Sequence, residues 1–255
     1  MKNNVLRQLA VIVTTIFTLV MNGAANAIPL NGRDTGAISD SFNALFVPAG
    51  YVFSIWGVIY IGLLAYTFYH SLPSQRSNDI MQRTGWWVAL SSIFNGAWIY
   101  FWHYGIYPVT MLVMLLLLAT LIVIFQKGNI GRTTYGPVMT WVFGIPFAIY
   151  LGWITVATIA NASAVLIDAG WNGWGITPLI WTYLMLAAGV IVSWIMAATR
   201  SVVAYHLVLV WAFVGISVRW QGDQNLFVAG LVAAFLVLIA IIWTLTRRKK
   251  LLPTR

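Results

Sequence analysis

PFAIYLGWITVATIAN, residues 146–161, is the stretch from which the fold of this chain can be read. Within it, five residues spaced 4, 3, 4 and 4 positions apart share an arc of roughly 80° on one face of a helix. They are Pro146, Tyr150, Trp153, Ala157 and Asn161. An amide in so apolar a helix turns away from lipid, so we expect Asn161 to face a neighbouring helix or a cavity.

The composition of the whole chain is that of a membrane protein. Of its 255 residues, 61% are hydrophobic and 7% are charged, and the mean hydropathy is +0.86. Apolar runs of about 20 residues recur, each long enough to cross about 30 Å of hydrocarbon. We therefore predict an all-α, polytopic membrane helical bundle. The net charge of +9 lies in loops and at the C-terminus, where membrane topology explains it, so no nucleic-acid partner is expected.

The apolar runs predict eight transmembrane helices with both termini in the cytoplasm. Their expected ranges are 8–27, 48–70, 85–104, 107–126, 137–160, 177–198, 202–219 and 226–246. In this orientation twelve lysines and arginines are cytoplasmic, including the basic tail from Arg247 to Arg255, and only Arg33 and Arg219 lie outside. Such a positive-inside bias is typical of a multi-pass protein of the plasma (cytoplasmic) membrane.

The first predicted helix has a second interpretation, as a cleavable signal peptide. Lys2 and Arg7 precede an apolar run, and Ala25-Asn26-Ala27 resembles a cleavage site. Cleavage would leave seven helices in the same orientation, so the charge bias does not distinguish the two interpretations.

Two more predicted helices carry an aromatic stripe on one face, within an arc of about 80°. The first stripe comprises Phe53, Trp56, Tyr60 and Leu64, and the second comprises Trp87, Ser91, Asn95, Trp98 and Trp102. An interfacial aromatic belt does not explain Trp98 or Trp153, because both lie well inside their spans. The stripes indicate either a tightly packed aromatic core or a pocket for a flat apolar ligand, and we expect the pocket. The external segment 28–47 is long enough to be a lid or a binding loop.

The residues that are absent exclude several kinds of chemistry. The chain contains neither cysteine nor glutamate, and no aspartate or lysine lies within a predicted span. This argues against thiolate metal sites, carboxylate proton relays and a retinal Schiff base. His70 and His103 fall on opposite membrane faces. We therefore expect no catalytic residues, no metal site and no enzymatic activity.

Three short motifs occur in order on the second, third and fifth predicted helices. They are Pro48-Ala49-Gly50-Tyr51-Val52-Phe53 with Trp56 and Tyr60; Asn95 with Trp98; and Tyr150, Trp153, Ala157 and Asn161. Together they resemble the motifs of the TspO/MBR family, the tryptophan-rich sensory proteins related to the mitochondrial translocator protein (peripheral benzodiazepine receptor). The resemblance covers residues 1 to about 166. It matches the first predicted helix to the first helix of the family, so we expect that helix to be retained.

The resemblance implies a five-helix bundle in residues 1–166 that binds tetrapyrroles, sterols or drug-like aromatics beneath the loop after the first helix. The candidate ligand-binding residues are Pro48, Tyr51, Phe53, Trp56, Tyr60, Asn95, Trp98, Trp102, Tyr150, Trp153, Ala157 and Asn161. The chain departs from the family at Ile149, where the family has proline, and in the segment 28–47, which lacks tryptophan. No sterol pattern follows Asn161, so sterol binding is not inherited. Residues 167–255 form a three-helix membrane extension, which would cover a dimer surface or add a second function.

The sequence thus favours a non-enzymatic membrane protein with a sensory or translocator role. It would bind a planar hydrophobic ligand, a porphyrin or haem, and would need no cofactor. One alternative is a permease for a neutral or aromatic solute, with a pathway completed by the three added helices. Another is a seven-helix receptor-like sensor whose first segment is cleaved. The expected partners are membrane lipid, the small hydrophobic ligand and a second copy of the chain in a homodimer.

Overall fold

The computed structural model describes residues 2–28 and 30–251, and all regular secondary structure within them is helical. In chain order the helices are α1 (Lys2–Ala27), α2 (Thr35–Asp40), α3 (Ile55–Ser71), α4 (Asp79–His103), α5 (Tyr107–Lys127), α6 (Pro137–Met139), α7 (Ile145–Asp168), α8 (Pro178–Thr199), α9 (Val203–Arg219) and α10 (Gln224–Leu251). Each of the eight predicted helices is found, as α1, α3, α4, α5, α7, α8, α9 or α10. Arg255 of the predicted basic tail lies outside the described residues.

The ends of these helices differ from the predicted ranges where capping decides them. Helix α4 begins six residues before its predicted start at residue 85, because the Asn78 side chain accepts hydrogen bonds from the backbone N–H groups of Ile80 and Met81. Helix α7 continues beyond residue 160 to Asp168, and Gly170, with φ of 67°, lies just past its end. Hydropathy alone does not detect either signal.

Six helical stretches of the described residues are long and apolar enough to cross a membrane. They are Asn4–Ala27, Gly50–Ser71, Tyr107–Lys127, Pro137–Asp168, Pro178–Thr199 and Gln224–Arg247. Helix α9 is apolar but has only 17 residues, and α4 carries buried polar side chains that lower its hydropathy. The fold is therefore an all-helical bundle of a multi-pass membrane protein.

Helix α7 lies at the centre of this bundle. It packs against α3, α5 and α9, and its buried residues are distributed around the helix, as is typical of a fully enclosed helix. Gly152 allows the close approach of α9, because a Cβ atom there would lie 2.9 Å from the carbonyl oxygen of Tyr205. Helix α7, which contains the stretch 146–161, thus contacts helices from both the N-terminal and the C-terminal part of the chain.

A π-helical turn, Thr140–Gly144, connects α6 to α7. It lies just before Pro146, which has no N–H to donate to the preceding turn. Such wide turns are frequent at functional sites, and this one places Gly144 and Thr140 on the wall of a cavity described below.

Polar contacts attach α1 to α3 and α4. The Gln8 amide donates to the carbonyl oxygen of His70 at 2.7 Å, and the hydroxyls of Thr15 and Thr67 are 3.0 Å apart. Further along α1, the Asn22 amide donates to Asn95 Oδ1 at 2.7 Å. Because each of these groups would otherwise be unsatisfied in an apolar environment, α1 is an integral part of the bundle.

Candidate functional site

The face of α7 that the sequence singles out is turned into the protein. Tyr150, Trp153 and Asn161 are each at most 2% exposed, and they face α3 and α4. The amide of Asn161 therefore does not contact lipid. Buried polar tips on a central helix require partners, and those partners define two neighbouring sites.

The first site is a small cavity between the start of α3, the C-terminal part of α4 and the middle of α7. Its volume is about 40 Å³. Eight of the twelve predicted ligand-binding residues line it, namely Pro48, Phe53, Trp56, Trp98, Trp102, Trp153, Ala157 and Asn161. Four more lining residues, Thr35, Ser39, Val156 and Ala160, were not predicted. We call this cavity and its lining the aromatic site.

The rings of the aromatic site form two groups. Trp153 stands nearly perpendicular to Phe53 and Trp56, with ring centroids 5.8 and 6.1 Å apart. On the α4 side, Trp98 and Trp102 are stacked, with centroids 5.3 Å apart and planes inclined by 20°. The rings that line the cavity thus pack against one another both edge to face and by stacking.

Two polar groups of the aromatic site are in contrasting states. The Trp98 indole N–H donates to Asn161 Oδ1 at 2.9 Å, and the Asn161 amide lies 3.5 Å from Met111 Sδ. The Trp153 indole N–H is buried and has no hydrogen-bond partner among the described residues. A buried, unsatisfied donor costs about 1–3 kcal/mol, so the Trp153 indole N–H is a group that a hydrogen-bond acceptor would stabilise.

Asn95 and Tyr150 belong to a separate network. The Asn95 amide donates to the Tyr150 hydroxyl at 2.7 Å, while its oxygen accepts from Asn22. The three groups link α1, α4 and α7, which is the helix-tying role that the sequence allowed for Asn95. They do not line the aromatic cavity.

The remaining two predicted residues also lie outside the cavity lining. Tyr60 stacks on Trp56 with centroids 5.6 Å apart, so it supports a cavity residue from behind. Tyr51 is 45% exposed and makes an edge contact with Trp211 of α9. Ligand binding by any of the twelve residues stays a prediction.

The segment between α1 and α3 covers the aromatic site. Thr35 and Ser39 of α2 lie over the cavity, and the Trp102 indole N–H lies 3.3 Å from the Thr35 carbonyl oxygen. Farther along, Phe42 packs against Trp102 and Tyr107. Helix α2 therefore has the position of the lid that the length of the segment suggested.

The sequence did not indicate how the C-terminal helices anchor this lid. Arg219, at the end of α9, forms an ion pair with Asp40 at 2.6 Å, and the Trp220 indole N–H donates to the Leu45 carbonyl oxygen at 2.9 Å. These two contacts join residues that are 179 and 175 positions apart in the sequence. The sequence offers one signal for these contacts: Arg219 is one of only two basic residues that are predicted on the external side of the membrane.

The aromatic cavity is much smaller than a typical ligand pocket. Ligand pockets are typically about 300–1,000 Å³, and a single water takes up about 30 Å³. A cavity of about 40 Å³ has room for little more than one water, so the aromatic side chains nearly fill the space between α3, α4 and α7. A larger guest would need some of the lining, such as α2 or these side chains, to move.

One comparison with known proteins found a match. The model of one protein family, described as TSPO-like protein, matches residues 8–243. The match includes α8, α9 and most of α10, which the motif resemblance over residues 1 to about 166 does not reach. Neither a curated protein nor a solved structure matches the chain. Since the matched residues make up most of its length, the chain belongs to the TSPO-like protein family.

Proposed function

We propose that this protein binds a planar hydrophobic molecule of the tetrapyrrole class in the aromatic site, without catalysing a reaction on it. The observation that carries the proposal is the Trp153 side chain, which lines a cavity of aromatic rings and whose buried indole N–H has no hydrogen-bond partner among the described residues. A tetrapyrrole offers both an extended flat face and polar atoms that accept hydrogen bonds. The role of the protein would be sensory or translocating, and it would require no cofactor.

The ring arrangement supports a flat guest over a compact one. The stacked pair Trp98 and Trp102 offers a broad face, while Trp153 approaches from the opposite helix with its donor free. Asn161 holds Trp98 by a hydrogen bond and so fixes the orientation of that face. A guest between these walls gains stacking contacts and one hydrogen bond.

Binding requires the lid to open, because the closed cavity is smaller than a tetrapyrrole by roughly an order of magnitude. Helix α2 has only six residues, and its ion pair from Asp40 to Arg219 is partly exposed to solvent. Exposed ion pairs contribute about 0–1 kcal/mol, so this contact is weak enough to open. The ligand would enter from the outer face of the membrane, beneath α2.

The topology that we propose has eight spans that cross the plasma membrane, with both termini in the cytoplasm. The distribution of lysine and arginine favours it, with Arg33 and Arg219 as the external exceptions. The polar contacts of α1 support its retention, because cleavage after Ala27 would remove the partner of Asn95 Oδ1. In this arrangement the lid is external.

The test is titration of the purified full-length protein in detergent with protoporphyrin IX, followed by the absorbance of the porphyrin. We expect saturable, micromolar binding that is weakened about tenfold by Trp153→Phe, which keeps an apolar ring but removes the donor, as for a hydrogen bond of about 1.4 kcal/mol. Trp171→Phe, outside the aromatic site, is the matched control and should bind normally. Equal, non-saturating uptake by all three proteins would reject the proposal, since it indicates partitioning into detergent.

A further inference from the structure

A second, larger cavity lies on the other side of the bundle and shares no lining residue with the aromatic site. Its volume is about 790 Å³, within the usual range of ligand pockets. The walls come from the start of α3, the π-helical turn before α7, the first half of α9 and the loop 130–135. We call this cavity the interhelical groove.

The interhelical groove is elongated and apolar. From Val203 to Trp211 it follows a nine-residue stretch of α9, a helix length of about 12 Å. Its outer end is closed by Trp211, whose indole N–H donates to the Val52 carbonyl oxygen at 3.1 Å. Val58, Trp141 and Leu207 on its walls are each more than half exposed, so the groove is open sideways. A membrane would bring acyl chains to that opening.

The inner end of the groove is polar and basic. Thr133, Thr134 and Ser201 supply hydroxyl groups there. Neither Arg132 nor Arg200 lines the groove, but Arg132 follows the lining residue Gly131 and Arg200 precedes the lining residue Ser201. The Arg200 guanidinium contacts the wall of the groove through the carbonyl oxygen of Ile130, which is a lining residue. Both arginines lie on the predicted cytoplasmic side.

The two arginines are held at this end by the backbone of the opposite segment. Arg132 Nε donates to the carbonyl oxygen of Thr199 at 3.2 Å, and Arg200 Nη1 donates to that of Ile130 at 3.1 Å. These reciprocal contacts fix both side chains near one another. Each guanidinium keeps further N–H groups for another acceptor, because arginine has five donors.

No acidic side chain of this part of the sequence balances the two charges. Residues 80–167 and 169–222 contain neither aspartate nor glutamate. The ion pairs found among the described residues are Arg83 with Asp79 and Arg219 with Asp40. Burial, and after it the positive charge of Arg132, lower the pKa of Arg200 from its ordinary value. The inner end is therefore a site of unbalanced positive charge that an anion would stabilise.

We propose that the interhelical groove binds an anionic phospholipid of the cytoplasmic leaflet. An acyl chain would lie along α9 between α3 and the π-helical turn, and the phosphate would lie against Arg132 and Arg200. Basic pockets between membrane helices on the cytoplasmic side are suited to anionic headgroups, and this one continues into an apolar groove. The site is independent of the aromatic site and of the ligand proposed there.

The experiment measures the thermal midpoint of the full-length protein in detergent with added phosphatidylglycerol or phosphatidylcholine of identical acyl chains. We expect phosphatidylglycerol to raise the midpoint several degrees more than phosphatidylcholine does. In Arg132→Gln this difference should fall by at least half. Arg83→Gln is the matched control, because Arg83 is cytoplasmic but pairs with Asp79 away from the groove, and it should keep the full difference.

A second variant tests the apolar part of the groove and leaves both arginines in place. Ala204→Trp would fill the space beside α9 and should remove the preference for phosphatidylglycerol. A cooperative thermal transition of this variant without added lipid checks independently that the bundle is folded; if that transition is lost, Leu207→Trp at the rim replaces it in the same assay.

Three results would overturn the proposal. Equal shifts with both lipids would exclude recognition of the headgroup, and an equal loss in Arg83→Gln would indicate a general effect of surface charge. A full shift with soluble glycerol phosphate would identify a free anion, not a lipid, as the ligand. The result for the aromatic site does not affect this one, because the two assays use different ligands and different variants.

Discussion

At the scale of single residues, two tryptophans of the aromatic site differ in what their indole groups do. Trp98 donates to Asn161, whereas Trp153 has no partner among the described residues. The two rings are both nearly buried and lie on facing helices. Substituting each tryptophan by phenylalanine therefore shows whether its N–H contributes to stability: the N–H of Trp98 forms a hydrogen bond, and that of Trp153 does not.

We predict that Trp98→Phe destabilises the ligand-free protein more than Trp153→Phe does, because both changes shorten a buried ring but only the first also breaks a hydrogen bond. The first change leaves Asn161 Oδ1 without its donor, at a cost of about 1–3 kcal/mol, while the second removes a donor that is already unsatisfied. Thermal unfolding in detergent, without porphyrin, compares them. The assignment of Trp153 as a free donor is wrong if both variants lose the same stability.

Asn95 is the residue on which α1, α4 and α7 converge. We predict that Asn22→Ala and Asn95→Ala each destabilise the protein, and that the double variant loses less than the sum, with a coupling of about 0.6–1.7 kcal/mol. Asn26→Ala is the control, because the Asn26 side chain bonds only to the backbone of its own helix. Reversible unfolding in mixed detergent micelles measures the cycle. Additive losses would mean that the 2.7 Å contact between Asn22 and Asn95 contributes nothing.

At the scale of elements, the short helix α2 controls access to the aromatic site. It is capped by Asp34, whose side chain accepts from the Ala37 N–H at 2.8 Å, and its last residue, Asp40, reaches α9. The segment is thus a small, separately capped unit that is attached to the C-terminal part of the chain by this ion pair and by the hydrogen bond from Trp220 to Leu45. Such a unit can move without unpacking the long helices.

Loosening this ion pair should speed entry of the ligand. We predict that Arg219→Gln raises the association rate of protoporphyrin IX a few-fold, because the closed lid loses about 0–1 kcal/mol of stabilisation. Stopped-flow absorbance measures the rate. Arg33→Gln removes an external charge without removing the pair and should leave the rate unchanged. A slower rate in Arg219→Gln would instead indicate that this arginine attracts the porphyrin carboxylates.

At the scale of the whole molecule, α7 joins the two halves of the chain. Its middle part, from Trp153 to Asn161, borders the aromatic site with α3 and α4, and the segment before it borders the interhelical groove with α9. In the sequence, the predicted boundary at residue 166 divides the chain into a five-helix bundle and a three-helix extension. In space, α9 packs directly on α7, and Gly152 makes that contact close.

The absence of native cysteine makes the topology directly measurable. We predict that Ser74→Cys reacts with an impermeant maleimide only from the cytoplasmic side and that Gln221→Cys reacts only from outside. Both positions are exposed in loops between helices. The mass of the purified protein, measured alongside, should include residues 1–27. Labelling on the opposite faces would overturn the orientation, and a mass that begins at Ile28 would overturn retention of α1.

The sequence alone determined the eight long helices and much of the aromatic site. Both depend on short-range regularities, since the length of an apolar run and the helical spacing of Tyr150, Trp153 and Asn161 follow from about 3.6 residues per turn and the thickness of a bilayer. Local reasoning failed at helix ends, where Asn78 extends α4 by a side-chain cap.

Only the tertiary structure decided which partners those side chains meet. It separated Asn95 from Asn161, reduced the aromatic cavity to about 40 Å³ and formed a groove of about 790 Å³ that no motif indicates. It also joined Asp40 to Arg219 across 179 residues. The physical reason is that a helical pattern specifies which face of a helix is buried, whereas the volume left between faces depends on how several distant segments pack together.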